Sequence, residues 1–456
     1  MQSWLKNRFN TFFFNEKHIA PLAIFRITFG SILFISLARF LLKRWVTEFY
    51  VKPRLFFPFY GFEWLKPLDS FGMHIVFFLM VLASLFVLLG LFYRISTFVF
   101  FFSFSYVELL DKTNYLNHYY FITIITFLLI LVPAHRFFSL DVLRKPSLKI
   151  NQVPSWTINI FILQLLLVYL FSGISKLNYD WLIEAMPLRI WLPAMNHLPV
   201  IGSFLNQEWT AYLFSWAGML FDLCIGFLLL NKKTNRIAYF FVIIFHVLTG
   251  LLFKIGMFPY IMICSTIIFF PEKFHIRRIQ KFQGLFSKNH TYYNSQIKSY
   301  HLSPIKERVL YLIIIFHFSL QLLLPFRYLL YPGKLYWTEE GYRFSWRVML
   351  MEKGGTAFFY VTDSKTGKKS EVINSEFLTP LQEKMMATQP DMILQYAHFL
   401  KKEYLKRGVD NPLITADGYV TLNGSGSRAF IDSRVNLAAE VESFAPKKWI
   451  LPFEKK

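Results

Sequence analysis

The 456 residues are 55% apolar and 20% aromatic, with 54 Phe, and a mean hydropathy of +0.39 is more than a water-soluble domain of this length carries, so lipid is the expected solvent. The net charge of +21 does not indicate nucleic acid, because the basic residues sit in loops between apolar runs and form no stripe with interleaved aromatics. The two cysteines, Cys224 and Cys264, each lie in an apolar run without a CxxC partner, which argues against a disulfide framework, a thiol redox centre or a Cys-based zinc site; no metal is expected.

In chain order, Met1 to His18 is polar and basic and no small-residue cleavage pattern follows, so no cleavable signal peptide is expected. Apolar stretches then occur at 20–42, 74–92, 97–110, 119–132, 157–174, 211–230, 237–253, 258–270 and 309–326. Most approach the roughly 20 residues needed to cross a bilayer; 97–110, 119–132 and 258–270 are short and are expected to be tilted, protein-buried or re-entrant. About nine crossings are predicted. With the N-terminus inside, the inner segments hold 18 Lys/Arg (Lys6, Arg8 and Lys288 among them) against nine outside (Lys254 among them), which favours that orientation.

From 327 the composition turns polar with regular Gly and Pro. Tyr342 to Val361 reads as a strand pair broken at Gly354-Gly355, Asp391 to Arg407 as an amphipathic helix, and 418–431 as a hairpin centred on Gly424 to Gly426. The expected fold is a polytopic α-helical membrane protein, with a helical transmembrane domain over 1–326 and a small extracytoplasmic α+β domain over 327–456.

The chain has no GxxxxGK[ST], GxSxG or HExxH, and its 11 histidines form no HxxxH or HxxHH pair, which removes most support for nucleotide hydrolysis, α/β-hydrolase, zincin and di-iron chemistry. Ionisable groups at membrane depth or at helix ends remain, and such groups are expensive in lipid. Lys176 ends an apolar run within Gly173-Ile-Ser-Lys-Leu-Asn-Tyr-Asp-Trp181. It reads either as a snorkelling interfacial lysine or as one desolvated by an apolar pocket and able to act as a base near neutral pH. Asp111, Lys112, Asn117 and His118 share a short polar connection, either a solvated turn or a place where Asn beside His orients a substrate carbonyl or carboxylate. Arg26 and Asp222 lie inside apolar runs and are expected to form a structural ion pair in the bundle; His246 and His317 read as hydrogen-bonded bundle histidines, His246 with more functional promise.

At these same residues the sequence resembles the vitamin K-dependent γ-glutamyl carboxylases and their bacterial relatives, the horizontally transferred transmembrane domain (HTTM) proteins. The matching stretches are Tyr93-Arg-Ile-Ser96, Leu109-Leu-Asp-Lys-Thr113 with Asn117-His118, Gly173-Ile-Ser-Lys-Leu177 with Asp180-Trp181, Phe245-His246 and Ile255-Gly-Met-Phe258, in the family's order. Further matches are Leu324-Pro325, Trp337-Thr338, Phe344-Ser-Trp346, Met392-Ile-Leu-Gln-Tyr-Ala397 and Phe430-Ile-Asp-Ser-Arg434, so the resemblance covers nearly the whole chain.

The resemblance implies an enzyme that converts protein Glu to γ-carboxyglutamate with CO2 and O2 while oxidising vitamin K hydroquinone, or a related menaquinol, to the epoxide. It implies Lys176 as the base that deprotonates the quinol, and His118 supported by Asn117 at the carboxylation step. It implies a quinone or substrate pocket drawn from His246, Asp111, Lys112, Trp181, Met257 and Phe258. The implied setting is a multi-pass cell or inner membrane, with the bilayer, the quinol and a Glu-containing peptide as partners. Two rivals are a quinol monooxygenase that carboxylates nothing and a transporter or structural protein on the same fold. Joint retention of Lys176 and Asn117-His118 argues against the second.

Overall fold

The computed structural model describes residues 12–253, 255–284 and 298–454; Lys6, Arg8, Lys254 and Lys288, which enter the charge count, lie outside the described residues, as does the segment 1–11. The membrane part is built from helices α1 (Ala20–Leu42), α2 (Ser70–Leu89), α3 (Tyr93–Leu110), α4 (Asn117–Leu131), α5 (Trp156–Ser175), α6 (Glu208–Leu230), α7 (Asn235–Leu252) and α8 (Phe258–Thr266). Helix α9 (Glu272–Gly284) and the apolar α10 (Pro304–Leu323) follow. Six described helices are long and apolar enough to cross a membrane: α1, α2, α5, α6, α7 and the run Pro304–Leu330 that contains α10. Asn117–Leu131 and Phe258–Phe269 are shorter apolar helices. Each of the nine apolar stretches is helical along most of its length.

Helix α5 is the most buried of the six. It packs on α6, while α1, α2, α3 and α4 pack in sequence order. Local chemistry sets the helix ends. Asp69 caps α2 by accepting from Gly72 N at 2.8 Å, and Gly90 stops it at φ 64°, a left-handed C-terminal cap.

Arg26 does not pair with Asp222. Its Nη1 donates to Val87 O at 2.9 Å and Leu88 O at 2.7 Å, and Nη2 to Phe138 O at 2.6 Å. The last carbonyls of α2 lack intrahelical partners, and a buried guanidinium with several donors satisfies them where a carboxylate cannot.

The C-terminal region holds strands β3 (Lys353–Thr362), β4 (Lys369–Glu371), β5 (Leu413–Leu422) and β6 (Arg428–Ala429) in the order β4-β3-β5-β6, all antiparallel. A separate two-stranded sheet joins β1 (Glu16–His18) to β2 (Gln152–Pro154). Helices α11 (Pro380–Met386) and α12 (Pro390–Lys406) cover the four-stranded sheet, and Met392, Ile393, Tyr396, Ala397 and Leu400 of α12 are buried with Phe359, Ile414, Ala416 and Val420. The amphipathic helix over 391–407 therefore forms, and the 418–431 hairpin turns through Gly424 and Gly426 at positive φ.

The expected strand pair broken at Gly354-Gly355 does not form: residues 342–352 hold no strand, and β3 runs straight through both glycines. A Cβ on Gly355 would sit 2.6 Å from Tyr419 O, so the glycine serves close approach to β5 rather than a turn. The apolar cluster beneath this sheet is continuous with Trp181, Leu188, Ala211 and Met219, so the C-terminal region shares one core with the segment after α5 and the first half of α6.

Candidate active site

Helix α5 ends at Ser175, and Lys176 is its C-cap. Four residues earlier, Ser172 lies on the same face, one turn below. Gly173 faces α6 so closely that a Cβ there would lie 2.8 Å from Leu223 N. That approach brings Lys176 Nζ to 2.7 Å from Asp222 Oδ2, with Ser172 Oγ at 2.9 Å and Ser172 O at 3.3 Å. Ser172 Oγ in turn donates to the same Asp222 oxygen at 2.7 Å. The three acceptors match the three donors of an ammonium group, and both charged side chains are buried, at 6% and 7% exposure.

The pair lines an apolar cavity of about 80 Å3 with Tyr169, Trp181, Phe245, His246 and Phe258. Trp181 stands on a one-turn helix capped by Asn178, whose Oδ1 accepts from Trp181 N at 3.0 Å, and its ring lies 5.3 Å from Lys176 Nζ. Its Nε1 donates to Ser215 O at 2.8 Å, which locks the ring against α6. His246 Nε2 is 3.2 Å from the Tyr169 hydroxyl, while its Nδ1 has no partner among the described residues. Val348 and Met349, contributed by the C-terminal region, close the cavity.

The structure thus brings Lys176, His246, Trp181 and Phe258 together, and separates the other candidates from them. His118 is buried at the start of α4 with its ring 6.0 Å from Phe258, which also contacts His246 at 5.6 Å, so the two imidazoles share one phenyl neighbour. The Asn117 amide is engaged by neighbours other than His118. Its Nδ2 donates to Arg347 O at 2.8 Å and its Oδ1 accepts from the Tyr115 hydroxyl at 3.1 Å, which ties α4 to the C-terminal region.

Asp111 and Lys112 lie at that same junction rather than in the Lys176 cavity. Asp111 accepts from Thr113 N at 2.9 Å and Gln382 Nε2 at 3.2 Å, and burial pushes its carboxyl up to about 6 against those hydrogen bonds. Lys112 Nζ pairs with Asp391 at 2.8 Å beside a bidentate Arg343, and burial pushes this ammonium down although Asp391 pulls it back. Lys112, Arg343 and Asp391 line their own cavity of about 250 Å3. Met257 points elsewhere too: its sulfur accepts from Ser36 Oγ at 2.9 Å and lines a cavity of about 40 Å3 with Glu108 and Tyr119. His317 is a hydrogen-bonded bundle histidine, 2.9 Å from Gln164 Oε1.

Sequence reasoning named Asp222 but gave it the wrong partner, and it missed Ser172 and Tyr169. The available signal was that a buried intramembrane carboxylate needs a cation, and the chain offered both Arg26 and Lys176.

The family described as HTTM domain matches residues 14–274, and the vitamin K-dependent gamma-carboxylase lumenal domain matches residues 306–456. No solved structure matches the chain.

Proposed function

We propose, since the chain belongs to the HTTM domain family and carries a vitamin K-dependent gamma-carboxylase lumenal domain, that it is a γ-glutamyl carboxylase-like membrane enzyme acting on a quinol and a Glu-containing protein. The observation that carries the reading is a lysine held in an apolar, aromatic cavity by a carboxylate and a serine, at the end of the most buried span. That donor set suits a quinol: flat aromatic walls for the ring and one amine edge for its hydroxyl.

The cavity of about 80 Å3 is about half the ~150 Å3 of an apolar cavity that binds benzene, so a quinol ring enters only as the closing side chains yield. Met349 is the adaptable wall, with an unbranched thioether that repacks at little cost. When bound, vitamin K hydroquinone with O2 and CO2 supplies the oxidation and the carboxyl group. The chain's own residues handle the proton and the geometry. An ammonium bound to three acceptors has no lone pair, so Lys176 must release one proton before it takes the quinol's. Asp222 Oδ2 at 2.7 Å is the acceptor within reach. Trp181 and Phe258 exclude water, which strengthens every polar contact inside the cavity. In this reading His118, in contact with Phe258, serves the glutamate side of the reaction, and the lumenal-type region lies on the extracytoplasmic side.

One observation favours the narrower reading of quinol oxidation without carboxylation: Asn117 is engaged by Arg347 O and Tyr115 rather than by His118. The test is to incubate the purified chain with reduced vitamin K, labelled bicarbonate and a Glu-containing peptide, measuring epoxide and fixed label separately. Both products are expected. Epoxide alone supports the narrower reading, and neither product overturns both.

A further inference from the structure

The ends of two candidate spans, α5 and the run Pro304–Leu330, enclose a cavity of about 460 Å3, mostly apolar with a few polar side chains, that the chemistry above does not use. Its deep wall carries Arg347, Tyr336 and Ser345, and Lys334 stands nearer the mouth. The rim is apolar and open: Ile174, Leu177 and Phe326 are 38%, 53% and 47% exposed. Beyond them Leu323, Leu329 and Leu330 are 67%, 66% and 79% exposed. In a membrane protein such a rim, at the ends of two spans, faces lipid at the level of the headgroups.

Arg347 is the anomaly. It is only 8% exposed, yet no carboxylate lies within ion-pair distance of its guanidinium among the described residues. Its guanidinium hydrogen-bonds the Tyr336 hydroxyl, Nη2 makes one long bond to Pro325 O at 3.4 Å, the ring of Tyr328 stacks at 4.3 Å, and Nε has no partner among the described residues. The acid that could neutralise it, Asp180, is taken by Lys334 at 2.7 Å and Asn423 at 3.1 Å. Buried cations are normally paired with an anion, and a planar fork whose contacts are all neutral matches the geometry of a phosphate or carboxylate.

We propose that this cavity binds an anionic membrane amphiphile, with its phosphate or carboxylate head on Arg347 and its acyl chain leaving between Ile174 and Phe326. The lipid-facing rim favours this occupant over an acidic peptide, which would approach from water. Because Ser175 and Lys176 are consecutive, and Tyr336 OH reaches Ser175 O at 3.4 Å, the bound head abuts the wall of the Lys176 cavity.

The test uses the full chain in nanodiscs of phosphatidylcholine with or without phosphatidylglycerol, followed by detergent exchange and quantification of retained lipid per protein. Wild type should keep about one phosphatidylglycerol per chain. Arg347→Gln should bind it at least tenfold more weakly, and Arg347→Lys should keep part of it. Unfolding midpoints of both variants in phosphatidylcholine alone report folding, and Arg347→Lys serves if Arg347→Gln does not fold. Displacement by oleate identifies a site for any acyl anion, and its failure assigns the site to phosphate heads; either supports the proposal. Equal retention by Arg347→Gln and wild type, equal retention of phosphatidylcholine, or displacement by a soluble glutamyl peptide overturns it.

Discussion

Replacing Lys176 by methionine keeps the length of the side chain and removes its charge, which strands the Asp222 carboxylate in a buried site with the Ser172 hydroxyl as its remaining hydrogen-bond donor among the described residues. Breaking a buried ion pair from one side costs about 3–5 kcal/mol, whereas removing both charges in exchange for neutral groups of similar volume is close to neutral. Ser172 keeps one bond to Asp222, so the lower end, about 3 kcal/mol, is expected for Lys176→Met. Asp222→Asn strands the ammonium with both Ser172 oxygens still accepting, and should cost about the same. The double variant should lose only about 1 kcal/mol, a coupling of about 5 kcal/mol and far outside the ~0.5 kcal/mol scatter of independent sites. Equilibrium unfolding of the purified protein in one detergent, followed by tryptophan fluorescence, measures all three. Additive losses would show that the two side chains do not hold each other, and with that the proton path through Asp222 falls.

Three further outcomes are expected. His118→Ala should depress carboxylation of a Glu-containing peptide more than epoxide formation, because His118 does not line the Lys176 cavity and touches only its Phe258 wall; equal loss of both would assign it to the quinol or to packing. A cysteine placed at the exposed Ser370 of β4 should react with an impermeant thiol reagent from outside intact cells, and labelling only after the membrane is opened would reverse the proposed orientation. Burial alone would push the Asp391 carboxyl up, but Arg343 and Lys112 outweigh it and hold the group well below the ordinary carboxylate range. A lowered native value stabilises fully above the unfolded-state value of about 3.9 and is lost as pH falls below it, so the unfolding midpoint of wild type should drop as pH falls from about 4 to about 2. Asp391→Asn should start lower at neutral pH and show a flatter acid limb; an unchanged limb would mean that this junction does not bear on stability.

The membrane helices were legible because lipid demands long apolar runs with their backbone bonds satisfied internally, a constraint written locally along the chain. The C-terminal helix and hairpin were legible for the same local reason, through amphipathic period and turn glycines. What failed was non-local. Gly354-Gly355 looks like a turn in one dimension, and only the approach of Tyr419 reveals a strand interior. Asp222 lies 46 residues from Lys176 and on another helix, so spacing does not choose between Lys176 and Arg26 as its partner. Gly173 decides the matter by letting α5 and α6 touch, and a single glycine in an apolar run announces nothing by itself. Asn117 and His118 are adjacent in sequence, but successive residues of a helix point some 100° apart, and the two side chains went to different neighbours.

The central claim is that Lys176 is the base for the quinol, and the most direct measurement is the rate of epoxide formation by Lys176→Ala and Lys176→Arg in the presence and absence of a small amine. Lys176→Ala should lose quinol oxidation and regain part of it with added amine, more strongly as pH rises toward the amine's own pKa. Lys176→Arg should stay inactive, since a guanidinium remains protonated at accessible pH and accepts nothing. Near-normal turnover by Lys176→Arg would contradict the account and leave the lysine as a charged anchor for Asp222.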